Sequence, residues 1–356
     1  AAVINKRWDI KELLAKAMSF YMVNRGDFKT VIAGYPWFLD WGRDTFISLR
    51  GFISAGYCGQ SRAIINQFAC FERDGTIPNM IRGDDVSNRD TADAPLWMFI
   101  ATADYINKTG DESILDDKCN SRTLREVLVS IAENYIKGTF NGIKADPQTN
   151  LIYSPAHYTW MDTNYPAATP RQGYPIEIQA LWFAALNLLA GFDPADGYKW
   201  QSIADIVRKS VVRLYGCRDG LGLSDCLHCG SFAPAKDAVK DDALRPNQLF
   251  AVTLGLIDDK QCAEKIVRAC GALIIPGSIR SLADRYVEYK QPVYNNGYLL
   301  NNPDNPYWGV YGGSEDTSRK PAYHNGTAWG WVFPSYCEAM LKVYGKYAAP
   351  AARAIM

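Results

Sequence analysis

The sequence predicts a mainly helical single domain, an (α/α) toroid, on three observations. Apolar residues recur at helical spacing in segment after segment. The loops between those segments alternate between tight and long. Strand-like pieces are few and short, Leu151–Tyr153 being one.

The elements follow in order. Leu13, Leu14, Ala17 and Met18 put one apolar face on a helix over 11–24. Helices are expected next over 43–57, 61–72, 91–108, 122–137 and 176–191. Ile203, Ile206, Val207 and Val211 carry the same spacing in 197–215. Further helices are expected over 247–256, 259–271 and 325–345, with a short one near 278–284. Turns such as Gly56 to Ser61 and Gly191 to Gly197 take a few residues, whereas 25–42, 73–90, 138–175, 216–246 and 285–324 are long. The long ones are rich in Trp, Asp, Arg, Pro and Gly, and long loops without structure of their own are usually functional. Helical hairpins with short turns at one end and chemically loaded loops at the other describe a toroid with a funnel on one face. An α-solenoid is the competing fold, but no repeat of fixed period is found.

Composition narrows the function. Of 356 residues, 48% are hydrophobic and 21% charged, enough for a sizeable core and against disorder. A formal net charge of zero removes the electrostatic case for nucleic acid or an anionic membrane as partner. No run of about 18 apolar residues predicts a transmembrane helix. Ten Trp and 21 Tyr exceed what a core needs. Polar-tipped rings suit a cleft that stacks on sugar faces and hydrogen-bonds hydroxyls. Cys226, His228 and Cys229 look like half a zinc site, but no second such pair exists. The scattered cysteines read as reduced thiols in a cytoplasmic chain, with no metal and no cofactor.

The motif-bearing stretches are AGYPWFLDWGRDTFISLRG at 33–51, IPNMI at 77–81, TADAPLWMF at 91–99 and TWMD at 159–162. TPRQGYPIEIQALWF at 169–183, LRPNQLFA at 244–251 and YHNGTAWGW at 323–331 follow. In the first, Trp37, Asp40, Trp41, Arg43 and Asp44 precede a helix expected near Thr45. Asp44 alone reads as a helix cap. Arg beside Asp also suits vicinal hydroxyls, one donating and the other accepting.

Together these stretches resemble, in order, the amylo-1,6-glucosidase half of glycogen debranching enzymes. The Trp41-Gly42-Arg43-Asp44 core also resembles the sugar-gripping motif of glucoamylases. The resemblance implies a six-hairpin glycosidase fold and inverting removal of α-1,6-linked glucose stubs from limit dextrins. It implies Asp162 as general acid. The residues agree physically: a carboxyl beside Trp160 and Met161 loses hydration, which favours the protonated form that can donate. It further implies sugar contacts from Arg43 and Asp44. For Asp93 a helix-dipole role competes with sugar contact. Arg171 and Glu177 either pair with each other or line the pocket. His324 and Trp329 stand at the entrance to the last helix, His324 as a structural residue or a sugar contact, with Trp160 in the same pocket.

An inverting enzyme needs a second carboxylate to activate water. In the family it lies beyond the YHNGTAW-like segment, so the base is expected outside the chain, with Glu177 and Glu315 as in-chain substitutes. The last hairpin then reads as incomplete, the chain as truncated at its C-terminus, and the family's N-terminal domain as missing. Competing readings are a glucoamylase- or trehalase-like α-glucosidase and an inactive glucan-binding domain.

Overall fold

A computed structural model describes residues 9–25, 28–35, 38–193, 195–216 and 221–356. The chain divides into two compact units, Ala1–Asn134 and Tyr135–Met356.

In the first unit, α1 (Ile10–Ser19) is capped by Asp9, whose Oδ1 accepts from the Lys11 N–H at 2.9 Å. This helix stops earlier than its periodicity suggests. The chain turns at Phe20 and pairs β1 (Met22–Arg25) with β2 (Phe28–Val31) as an antiparallel hairpin. β3 (Asp40–Trp41) runs directly into α2 (Gly42–Ser54), followed by α3 (Cys58–Cys70). β4 (Met80–Ile81) pairs with β3, setting Trp41 opposite Met80 and Asp40 opposite Ile81. α4 (Ala94–Thr109) packs on α2 and ends at Gly110, which takes the left-handed conformation at φ 70°. β5 (Lys118–Cys119) and β6 (Arg122–Thr123) form a short hairpin before α5 (Leu124–Lys137), which runs across the division between the units. α5 starts with a capping box: Thr123 Oγ1 accepts from the Glu126 N–H, and Glu126 accepts from the Thr123 N–H at 2.6 Å.

In the second unit, β7 (Lys144–Ala145) pairs with β8 (Ile152–Tyr153). β9 (Gly173–Pro175) leads into α6 (Ile176–Phe192), which packs against α7 (Gly197–Leu214). α6 is apolar nearly all round because both of its faces are buried, including Leu181, Trp182, Leu186 and Leu189. β10 (Cys226–His228) lies between β9 and β11 (Val239–Lys240). Gly173 makes that closeness possible: its φ is 130°, and a Cβ there would sit 2.1 Å from the Leu227 carbonyl oxygen. A 3₁₀ turn at Pro246–Gln248 precedes α8 (Leu249–Thr253), shorter than the expected 247–256 helix, and α9 (Lys260–Gly271) follows.

Two expected helices are corrected here. The segment near 278–284 is extended: β12 (Ile274–Ile275) pairs with β13 (Ser278–Arg280), whose Ile279 is fully buried in the sheet. The 325–345 segment is broken. After the hairpin β14 (Tyr294–Asn295) and β15 (Tyr298–Leu299), α10 (Lys320–Tyr323) ends before His324. β16 (Ala328–Trp329) then pairs with β13, and α11 (Phe333–Tyr344) and α12 (Ala349–Ile355) close the chain. Gly326 explains the break, with φ 148° and its backbone pressed against the Trp308 carbonyl. No helix among the described residues is long and apolar enough to cross a membrane.

Candidate active site

Two groups of the sequence-predicted residues are assembled, one in each unit. In the first unit the DWGRD stretch is placed by β3 and α2. α2 begins at Gly42, so Asp44 stands in its first turn and is not the cap. Gly42 is required, because its N–H donates to the Asn79 carbonyl at 2.9 Å and a Cβ would lie 2.6 Å from the Pro78 oxygen. Asp40 is buried and Trp41 half-buried. Trp37 lies outside the described residues.

Arg43 is buried, and its Nε donates to Asp93 Oδ2 at 2.5 Å. Asp93 precedes the first residue of α4 but makes no capping bond. Thr91 caps instead: its hydroxyl accepts from the Ala94 N–H and donates to Asp93 Oδ1 at 2.7 Å. Asp93 is thus committed to Arg43 and Thr91, which a helix-dipole reading of it did not anticipate. Burial pushes the Asp44 carboxyl up, with Asp93 adding and Arg43 and its own backbone N–H opposing.

In the second unit the TWMD segment is gripped from several sides. Arg171 Nη1 donates to Thr159 Oγ1 at 3.0 Å. Trp160 Nε1 donates to Asn247 Oδ1 at 2.7 Å. The Trp160 ring meets His324, Trp329 and Trp331 edge-on, with centroids 5.3, 5.6 and 5.0 Å away. Met161 is fully buried. The Thr163 hydroxyl and His324 Nδ1 lie 2.7 Å apart in a hydrogen bond. Among residues 159–163, all of them described, Asp162 alone is not buried. With its indole N–H used by Asn247, Trp160 backs the segment, while Trp329 and Trp331 are half-buried.

Arg171 and Glu177 pair with each other. Arg171 sits at φ 43°, a left-handed conformation that costs a non-glycine residue about 1 kcal/mol or more. Its guanidinium makes a two-point contact with the Glu177 carboxylate, and its Nε donates to Asp225 Oδ2 at 2.7 Å. Burial opposes the Arg171 charge, but Asp225 and then Glu177 outweigh it and hold the proton more firmly. Burial raises the Glu177 carboxyl, and Arg171 opposes. Both Glu177 oxygens face Arg171 and the side chain is buried, a poor arrangement for a water-activating base. Glu315 is exposed in the π-helical turn Glu315–Arg319, with Lys320 Nζ at 3.3 Å.

Sequence reasoning did not single out Asp225, Arg245, Asn247, Asn325 or Trp331. Arg245 is buried and reaches across the unit. It donates to the carbonyls of Ser281 and His324 at 3.2 and 2.5 Å, and to Asn325 Oδ1 and Gln291 Oε1 at 2.8 and 3.0 Å. Its Nε stands 3.6 Å from Asp225. Two guanidinium groups, Arg171 and Arg245, therefore balance two buried carboxylates, Glu177 and Asp225. The signal was present in LRPNQ, where a polar run Arg-Pro-Asn-Gln opens an apolar helix. His228 bonds Asp241 at 3.0 Å and stacks on Tyr289 at 4.2 Å. Among the described residues no three His, Cys, Asp or Glu side chains group as metal ligands.

The model of the family described as amylo-alpha-1,6-glucosidase matches residues 15–355. The chain belongs to that family. It is 25% identical over 389 residues to the glycogen debranching enzyme of Saccharomyces cerevisiae, an alignment covering 84% of this chain and 24% of that protein. The chain thus spans about a quarter of the length of this curated relative. A glycosidase solved as a tyrosine-to-phenylalanine variant superposes with a TM-score of 0.60 at 11% identity, covering 96% of this chain and 80% of its own. A glycosidase variant in complex with glucose gives 0.59 at 12% identity with the same coverage. These likenesses show the fold, the six-hairpin glycosidase-like (α/α) class, and family membership places the chain among glycoside hydrolases.

Proposed function

We propose that this chain carries the glucosidase chemistry that removes single α-1,6-linked glucose stubs from glycogen-type limit dextrins, with inversion. The observation that carries the reading is Asp162, the one residue of 159–163 that is not buried, set between neighbours held by burial and hydrogen bonds. That carboxyl follows buried Trp160 and Met161 in a residue that is itself half-buried, and in its protonated form it is the proton donor of this reading. It then protonates the glycosidic oxygen as the bond to the anomeric carbon breaks. His324, stacked on half-buried Trp329, orders the pocket wall through Thr163. In the first unit, Arg43 and Asp44 suit sugar hydroxyls, one donating and the other accepting, with Arg43 oriented by Asp93. The base is a carboxylate other than Glu177, which is tied to Arg171, or Glu315, which is paired with Lys320. Hydrolysis by water and two carboxyl groups needs no cofactor.

The deciding experiment compares a dextrin bearing single 1,6-glucosyl stubs with linear maltodextrin and trehalose, following the anomer released. Preference for the stub and release of β-glucose support the reading. Preference for maltodextrin or trehalose replaces it with a glucoamylase-like or trehalase-like activity. Sugar binding without turnover of any of the three leaves a glucan-binding domain, and α-glucose would rule out inversion.

A further inference from the structure

One amide holds the two residues in front of Asp162. Asn247 is fully buried in the 3₁₀ turn Pro246–Gln248 that leads into α8. Its Oδ1 accepts from Trp160 Nε1 at 2.7 Å. Its Nδ2 donates to Asp225 Oδ1 at 2.8 Å and lies 3.5 Å from Met161 Sδ. The amide cannot be turned round. An indole only donates and an ionised carboxylate only accepts, so the flipped amide would face a donor with a donor and an acceptor with an acceptor. Asp225 is itself fixed, with Arg171 Nε at 2.7 Å and Arg245 Nε at 3.6 Å. The edge-on contacts of Trp160 with Trp329, Trp331 and His324 confine the ring but are weakly directional. The bond to Asn247 supplies the direction.

We propose that Asn247 is a positioning residue for the proton donor. It sets the rotation of the Trp160 indole, and through the adjoining backbone the place at which the Asp162 carboxyl stands. It touches no reacting atom. This inference rests on the reading of Asp162 as general acid. A displacement of about 1 Å at a reacting group can cost on the order of 100-fold in rate, so a loosened Trp160 should be visible in turnover.

The test uses the intact protein. Asn247→Leu keeps the branched shape and removes both polar ends of the amide. Asn247→Ser serves if the leucine variant does not fold, with near-ultraviolet circular dichroism as the check. Two substrates carrying the same glucose are compared: the unactivated 1,6-glucosyl stub, which needs a proton on leaving, and α-glucosyl fluoride, which needs little. On the stub, kcat should fall about 10–100-fold with KM changed by less than about 3-fold. Fluoride hydrolysis should be nearly unchanged. Adding Asn247→Leu to Asp162→Asn should then cost little more, because both changes disable one proton transfer. Equal losses on the two substrates, a loss carried by KM, or fully multiplicative effects of the two substitutions would overturn the positioning role. If Asp162→Asn alone spares stub hydrolysis, the acid assignment is wrong and the positioning role falls with it.

Discussion

Arg171→Met removes one guanidinium that makes five hydrogen bonds: two to Glu177, one to the Asp225 carboxylate, one to the Asp225 carbonyl and one to Thr159. It leaves the buried Glu177 and Asp225 carboxylates facing each other's field, with Arg245 at 3.6 Å from Asp225 alone. Breaking a buried ion pair on one side costs about 3–5 kcal/mol. Methionine fills most of the space but inherits the same left-handed backbone at φ 43°, so the backbone contributes nothing to the difference. We expect a loss of about 4 kcal/mol at neutral pH. With a urea m-value of about 3 kcal/mol/M, the midpoint falls by about 1.3 M. The deficit should shrink in acid. Burial already raises the Glu177 carboxyl and Arg171 opposes it, so without Arg171 it rises further. A group whose folded value is raised binds its proton more tightly in the folded state. Its stabilisation is complete below the ordinary glutamate value of 4.5 and lost as pH rises through the raised value. Urea titrations of both proteins across that window, followed by tryptophan fluorescence, are the assay. A loss under about 1 kcal/mol, or a deficit that does not depend on pH, would refute the account of a dry, charge-balanced cluster.

Four other outcomes are expected. Asp162→Asn should lower stub hydrolysis by about 10²–10⁴-fold while glucose binding, measured by calorimetry, changes little. Gly173→Ala should cost more than about 3 kcal/mol or prevent folding, since its Cβ would fall 2.1 Å from the Leu227 oxygen at φ 130°. Gly230→Ala, where a Cβ meets nothing within 4 Å, should stay within about 0.5 kcal/mol in the same denaturation assay. The raised Asp44 carboxyl stabilises the fold fully below the ordinary aspartate value of 3.8, and this is lost as pH rises through its raised value. Thermal melts from about pH 3 to about pH 7 should therefore show Asp44→Asn gaining on the parent as pH rises, then levelling off.

The sequence by itself determined the helical framework. α6 and α7 were legible almost to the residue, because an apolar stripe at 3.6-residue spacing has few other ways to be buried. It also marked the stretches that carry the chemistry. In TWMD a single acid follows two large apolar side chains, and that local pattern already separates Asp162 from its neighbours. Tertiary structure decided what could not be local. Whether 278–284 and 325–345 were helix or strand depended on β13 and β16 finding each other, a pairing between segments about 50 residues apart. Which acid served which cation was equally long-range. Arg43 reaches Asp93 and Arg171 reaches Asp225, while Asn247 takes the Trp160 N–H from 87 residues away. Hydrogen bonds and ion pairs act over a few ångströms of space, without regard to distance along the chain. A sequence can therefore show that such groups are present, and only the fold can say which of them meet.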